Sequence, residues 1–289
     1  MTQRDPGAVH EIGAVDAAAV MKPPGHKYDH GHAWVLAGPA QRTGAARLAA
    51  RGALRIGAGL VTLGAPGASL LECATQTSAV MVRRCDDGAA LAEAFGDTRV
   101  TAVCLGPGLG VARAPDLVAA ALRTREMAVV LDADALTAFE ADPTQLFDML
   151  HPRVVLTPHA GEFRRLFPDI HSRLAAGETS KVDATRAAAA RAGCTVLLKG
   201  IDTVIADQTG AASVHMARGD RAVPWLATAG AGDVLAGFIA GLFARGFAPR
   251  TAAEAAAWLH VSAALEFGPG LIAEDLPDAL PAVLRRLAR

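Results

Sequence analysis

Four short apolar runs constrain this chain more than any other feature. Val100–Leu105, residues 128–132, Val154–Leu156 and Thr195–Leu198 are aliphatic, too short for helices, and each breaks at its C-terminal end into Gly, Pro or a polar residue. Helical stretches separate them: Ala114–Arg123, a short turn after Asp134, and residues 179–192. The same unit occurs earlier, with strands at 33–38 and 60–64 flanking a helix over 44–57 whose surface is mostly alanine. Such alternation predicts an α/β fold with a mainly parallel central sheet covered by helices on both faces. Residues 203–206 and Ala212–Met216 read as a hairpin added at the sheet edge. Helices over 230–245, 249–267 and 275–288 close the chain. Residues 1–25 form an irregular lead-in with a short helix around 15–21. No linker or shift of composition interrupts the rest, so residues 1–289 are expected to form a single domain.

Composition narrows the function by exclusion. A formal net charge of -1 provides no basic field for nucleic acid. No stretch approaches the roughly 18 uncharged apolar residues of a membrane span, and the acidic N-terminal thirty residues carry no signal sequence. Cys73, Cys85, Cys104 and Cys194 are scattered without metal spacing, which suits buried thiols in a reducing, cytoplasmic setting.

Nearly every strand ends in a cluster of Gly, Pro and one or two polar residues: Gly38, Gly106 to Gly110, Asp132 with Asp134, Thr157 to Glu162, and Lys199-Gly200. In an open parallel sheet the carboxyl ends of the strands form the ligand crevice, so these residues are expected to converge. Each also has a plain structural explanation. Gly-Pro-Gly-Leu-Gly can be a simple turn, His159 a cap, Glu162 a partner of the helix dipole, and Asp132 and especially Asp134 helix caps. Lys22 and Lys27 could meet an anion or remain solvated. His26, His30 and His32 lack a carboxylate or cysteine at ligand spacing, so no metal site is assigned to them.

Thr228-Ala229-Gly230-Ala231-Gly232-Asp233 adds a second kind of site. Large apolar residues then recur at 234, 235, 238, 239, 242 and 243, one face of a helix. Small residues at its start let an anion approach the unpaired N–H groups of Gly230, Ala231 and Gly232. Asp233, in or beside the first turn, could take a proton from a group held there, or be an ordinary N-cap.

Taken together the chain resembles the ADP/ATP-dependent NAD(P)H-hydrate dehydratases of the ribokinase-like superfamily. The resemblance runs from about Lys27 to the C-terminus through motifs in order: Lys27-x3-Gly31, Val35-Leu36-Ala37-Gly38, Gly44-Ala45-Ala46, Gly106-Pro107-Gly108-Leu109, Leu131-Asp132-Ala133-Asp134, Thr157-Pro158-His159-Ala160-Gly161-Glu162, Leu198-Lys199-Gly200-x2-Thr203 and Ala227 to Gly237. It implies a three-layer α/β/α sandwich and dehydration of hydrated NADH or NADPH, with ADP or ATP as phosphoryl donor and a lean to ADP. Asp233 would be the base. Ala45, Gly108, His159 and Asp233 would contact the hydrate, and Lys199, Gly200, Ile201, Asp202, Thr203 and Gly232 the nucleotide. Magnesium is implied on the phosphates, reached by Glu162 and Asp132 through water. Ala231 stands where the motif commonly has Thr, which removes one hydroxyl contact and leaves the backbone hole. Also implied are a homo-oligomer, often a homotetramer, and a separate hydrate epimerase, since the lead-in is too short to hold that domain.

Two other functions fit parts of the pattern. A kinase for a vitamin precursor or sugar alcohol would use the same Gly-x-Gly-Asp loop, but vitamin kinases usually read Thr-Pro-Asn where this chain has Thr157-Pro158-His159. A nucleotide-binding regulator without turnover would be expected to lose Asp233.

Overall fold

The computed structural model describes residues 8–289. Ten strands form one sheet: β1 (Val9–Glu11), β2 (His32–Leu36), β3 (Leu60–Ala65), β4 (Met81–Arg84), β5 (Val100–Leu105), β6 (Ala128–Leu131), β7 (Val154–Leu156), β8 (Thr195–Leu198), β9 (Asp202–Ala206) and β10 (Ala212–Met216). Their order is β1-β10-β9-β8-β7-β6-β5-β2-β3-β4. All pairs from β8 to β4 are parallel, whereas β9 runs antiparallel to both β8 and β10.

Strand alternation sends side chains into two separate apolar layers. From β2, β5 and β6, Ala33, Val35, Ala102, Cys104, Ala128 and Val130 face one layer, and Trp34, Leu36, Val103, Leu105, Val129 and Leu131 the other. Mostly small residues floor the first layer. Against them lies the helix Ala231–Ala244, which packs on β2, β5 and β6. Beyond it are the helices Gly44–Arg55, Pro249–Phe267 and Asp275–Leu287. Ala114–Arg123 and Lys181–Ala192 cover the opposite face. The sheet is thus the middle of three layers. All four cysteines are buried and free.

Three expectations are corrected. The helix after Asp233 is not one-faced, because every residue from Val234 to Ala244 is buried. Its alanines and glycines form a second contact face against the helix Gly44–Arg55, where a Cβ on Gly237 would lie 2.1 Å from the Ala49 carbonyl oxygen and one on Gly241 2.5 Å from that of Ala53. The described part of the lead-in is not merely irregular: β1 forms the edge strand, pairs in parallel with β10, and so puts the hairpin β9–β10 inside the sheet rather than at its edge. At the other edge, β4 is a mainly exposed Met-Val-Arg-Arg strand that the sequence reading did not assign.

The helix–helix approach gives a direct test. Alanine is the better helix former by roughly 1 kcal/mol, yet its methyl at 237 meets backbone that cannot swing aside. Gly237→Ala is therefore expected to lower the unfolding free energy by about 1–3 kcal/mol in urea titration, the usual range for overpacking. A gain in stability would show that the two helices are not closely packed.

Candidate active site

Strand order reverses between β2 and β5, and the crevice opens beyond their carboxyl ends. There the loops touch through backbone. A Cβ on Gly38 would stand 1.8 Å from the Gly108 carbonyl oxygen, and one on Gly108 2.5 Å from that of Arg42 and 3.4 Å from the Ala45 methyl. Gly108, with φ 62°, occupies a conformation that favours glycine. Gly108 and Ala45, far apart in the chain, thus meet at the switch point.

Asp132 and Asp134 follow β6 and are aimed in different directions. Ala133 between them has φ 46° and ψ −118°, a strained backbone for a residue with a Cβ. Asp134 accepts the Gly110 N–H at 2.8 Å and faces Arg42 at 3.6 Å, so it braces the glycine loop. Asp132 is almost fully buried and accepts from the Lys199 ammonium at 2.7 Å. Neither is a helix cap.

After β7, His159 caps the helix Ala160–Leu166. Its Nδ1 accepts from the N–H groups of Gly161 and Glu162 at 2.9 and 3.2 Å, while Glu162 Oε2 accepts the His159 N–H at 2.7 Å. A neutral His159 therefore carries its proton on Nε2, on a ring about half exposed. The capping role raised from sequence is present, and Nε2 lies 3.5 Å from Glu162 Oε1. Glu162 Oε2 also lies 3.8 Å from Lys199 Nζ.

Lys199 is the hub. Burial alone would lower its pKa, but Asp132, Glu162 and Asp233 together raise it, so it stays charged. A Cβ on Gly232 would stand 3.5 Å from its Nζ, which sets the ammonium beside the start of the helix Ala231–Ala244. Gly230 is the N-cap of that helix, with φ 90°, and Asp233 its third residue, not its cap. The Ala231 N–H, expected to be open, instead reaches the Thr228 carbonyl at 3.5 Å as the chain turns into the helix, whereas among the described residues neither the Gly232 nor the Asp233 N–H has a hydrogen-bond acceptor. Three carboxylates thus share one ammonium at an open helix N-terminus. Burial, then repulsion by Asp132, pushes Asp233 up to about 7 although Lys199 opposes it. Burial also raises Glu162.

Beside this hub lies a cavity of about 590 Å³, mainly apolar, walled by Lys199, Gly200, Ile201, Thr203, Ala231 and Gly232 on one side and by Val223, Leu226, His260 and Val261 on the other. Its shape and lining suit a nucleoside against the phosphate loop. Asp202 is the member of the 199–203 run that does not line it, because Arg218 grips its carboxylate through bonds of 2.6 and 2.7 Å. Sequence reasoning missed Lys181, whose ammonium binds the carbonyls of Lys199 and Asp202 at 3.3 and 2.5 Å and so shapes that run. It also missed His260. Both act on backbone, and backbone targets leave no motif.

A family profile described as NAD(P)H-hydrate dehydratase matches residues 33–282. The chain belongs to the NAD(P)H-hydrate dehydratase family. It is 38% identical to the Salinibacter ruber bifunctional NAD(P)H-hydrate repair enzyme Nnr over 96% of this chain and 53% of that one. It thus spans about half the length of such bifunctional relatives. The Xanthomonas campestris ADP-dependent (S)-NAD(P)H-hydrate dehydratase is 34% identical over 96% of both chains. Among solved structures, the Bacillus subtilis ADP/ATP-dependent NAD(P)H-hydrate dehydratase co-crystallised with ATP/Mg2+ is 28% identical, with TM-score 0.74 and coverage of 94% and 96%. A ribokinase-like superfamily protein from Enterococcus faecalis, 21% identical over 94% and 95% of the two chains with TM-score 0.76, shares the fold.

The raised Asp233 pKa has a consequence for the stability of this family member. Below about pH 4 folded and unfolded chains both hold the proton. Between the unfolded value of 3.8 and the folded value of about 7, only the unfolded state ionises, so folding loses stability as pH rises. Asp233→Asn lacks this loss. Its unfolding free energy is expected to exceed the native chain's by up to ~4 kcal/mol above pH 7 and to show no such advantage near pH 3, measured by denaturation at each pH.

Proposed function

We propose that the chain restores NADH or NADPH from the hydrated ring by phosphorylating the ring hydroxyl from ADP or ATP and expelling phosphate. The observation that carries this reading is the placement of the Asp233 carboxyl, at about pKa 7, on the first turn of a helix whose next open N–H belongs to Gly232 and whose flank carries Lys199. A base working near neutral pH needs such a value.

Hydroxide is a poor leaving group. The hydroxyl of the hydrate, held near Ala45, Gly108 and His159, gives its proton to Asp233 as its oxygen bonds to the terminal phosphorus, and the bridging oxygen of the nucleotide leaves with its electron pair. The N–H groups of Gly232 and Asp233 and the Lys199 ammonium face the charge on the transferred group. The ring-nitrogen lone pair then drives phosphate off the adjacent carbon, and loss of a proton from the next carbon restores the double bond. Lys199, Gly200, Ile201 and Thr203 hold the nucleotide.

The donor set also fits magnesium carried in with the phosphates. No group of three His, Cys, Asp or Glu residues among those described could hold a metal ion by itself, yet Asp132, Glu162 and Asp233 outnumber the single Lys199 ammonium. Asp132 and Glu162 would hold such an ion through its waters, and it would neutralise phosphate charge. No helix of the described residues is long and apolar enough to cross a membrane. On resemblance to the family alone, whose members are often tetramers, we include a cytoplasmic homo-oligomer in this reading. If the enzyme takes one hydrate epimer, as the Xanthomonas relative's name states for that protein, a separate epimerase activity must supply it from the other.

Protein, magnesium, ADP or ATP and hydrated NADH are expected to regain the absorbance of NADH with stoichiometric phosphate release. A stable phosphorylated alcohol would show a kinase instead. The acidic limb of kcat/KM should fall near pH 7, rising as Asp233 ionises. Asp233→Asn is expected to lose roughly 10²–10⁴-fold in turnover, the usual share of a general base, while retaining nucleotide affinity by calorimetry. A near-normal rate would remove Asp233 as the base.

A further inference from the structure

His260 lies in the middle of the helix Pro249–Phe267, buried, among alanine, leucine and valine neighbours. Its ring meets Phe238 edge-on, with centroids 6.2 Å apart and planes at 81°, which fixes its orientation. Nε2 stands 2.9 Å from the carbonyl oxygen of Ala231, 29 residues earlier. A carbonyl oxygen only accepts, so Nε2 must carry the proton.

That carbonyl belongs to a peptide plane with a second end. The Ala231–Gly232 peptide is trans, so its N–H points away from its C=O. The N–H is that of Gly232, one of the two open donors at the helix start. A hydrogen bond to the carbonyl end holds the plane in place and, by drawing electron density along the amide, strengthens the donor at the other end. Ala231 offers no hydroxyl of its own, so hydrogen bonds from this loop to a phosphoryl group come from its backbone, beside the Lys199 ammonium. Burial first, with His215 and Lys199 adding to it, pushes the His260 pKa down to about 4 despite the Ala231 bond, so the ring is neutral in the working range.

We propose that His260 is a positioning residue for phosphoryl transfer, fixing and polarising the Ala231–Gly232 peptide so that the Gly232 N–H meets the charge on the transferred group. This rests on the reading of the helix start as the phosphoryl site. The ring also lines the nucleotide cavity, and a simple ligand contact would act on affinity instead.

The test compares His260→Leu, which removes the donor, with His260→Gln, whose amide can place an N–H near the same point. Leu is expected to lower kcat roughly 10- to 100-fold, at or below the loss from deleting a direct oxyanion donor, with the ADP dissociation constant changed less than about 3-fold; Gln should recover most of the rate. In ¹⁵N-resolved spectra the Gly232 amide proton should move upfield in Leu and return in Gln, and the native ring should show the Nε2–H tautomer. These spectra need folding but no turnover. Weaker ADP binding at unchanged kcat, equal rates in Leu and native enzyme, or a Gly232 amide indifferent to residue 260 would each overturn the proposal. If the native enzyme turns over no hydrate at all, the functional reading fails instead.

Discussion

One ammonium among three carboxylates is the interaction on which the site depends. Lys199 binds Asp132 directly, stands within ion-pair range of Glu162, and lies beside the glycine that precedes Asp233. With one positive charge for three negative ones, Lys199 offsets only part of the cost of ionising Asp233 and Glu162. At Asp233 burial contributes most to that cost, and repulsion by Asp132 adds to it. A carboxyl poised near neutrality is useful as a base only beside something that needs a proton removed. In the proposed reaction the helix N-terminus would supply that place, because its open N–H groups and dipole favour an anion.

The layering makes this possible. The carboxyl ends of β5, β6, β7 and β8 deliver Gly108, Asp132, His159 and Lys199 to one rim of the sheet. The helix that carries Asp233 reaches that rim because it lies deep, on a floor of alanine, valine and cysteine, with Gly237 and Gly241 letting the helix Gly44–Arg55 press against its other side. That second helix begins with Ala45, in contact range of Gly108. One close helix pair therefore fixes two parts of the site, the base and the wall of the crevice. Lys181 and His260 complete it from outside by holding carbonyls of the two loops that face the cavity.

Much of this was legible in the sequence. The central strands were readable because burial on both faces makes them continuous apolar runs, and the site residues because Gly, Pro and charge interrupt those runs at one end only. The edge strands were harder: Val9–Glu11 is wholly exposed and carries no burial pattern, and the short apolar stretch Ala79-Val80-Met81-Val82 runs straight into Arg83-Arg84 on a mainly exposed strand. The alternation of large and small residues after Asp233 was visible, but it encodes two packed faces of different depth rather than one packed and one wet. Asp134 read as a cap because Asp before a helix usually is one; its brace to Gly110 depends on the backbone twist at Ala133, which no residue type announces. His260 left a single trace, a lone polar ring in an apolar helix.

The central claim concerns one proton, and it can be measured directly. Carbon-13 carboxyl resonances of the ligand-free protein report the titration of Asp233, assigned by its loss in Asp233→Asn. That midpoint is expected near 7 and is expected to rise further in Lys199→Met, where the opposing ammonium is gone. A midpoint near the ordinary value of 3.8, unmoved by the loss of Lys199, would contradict it.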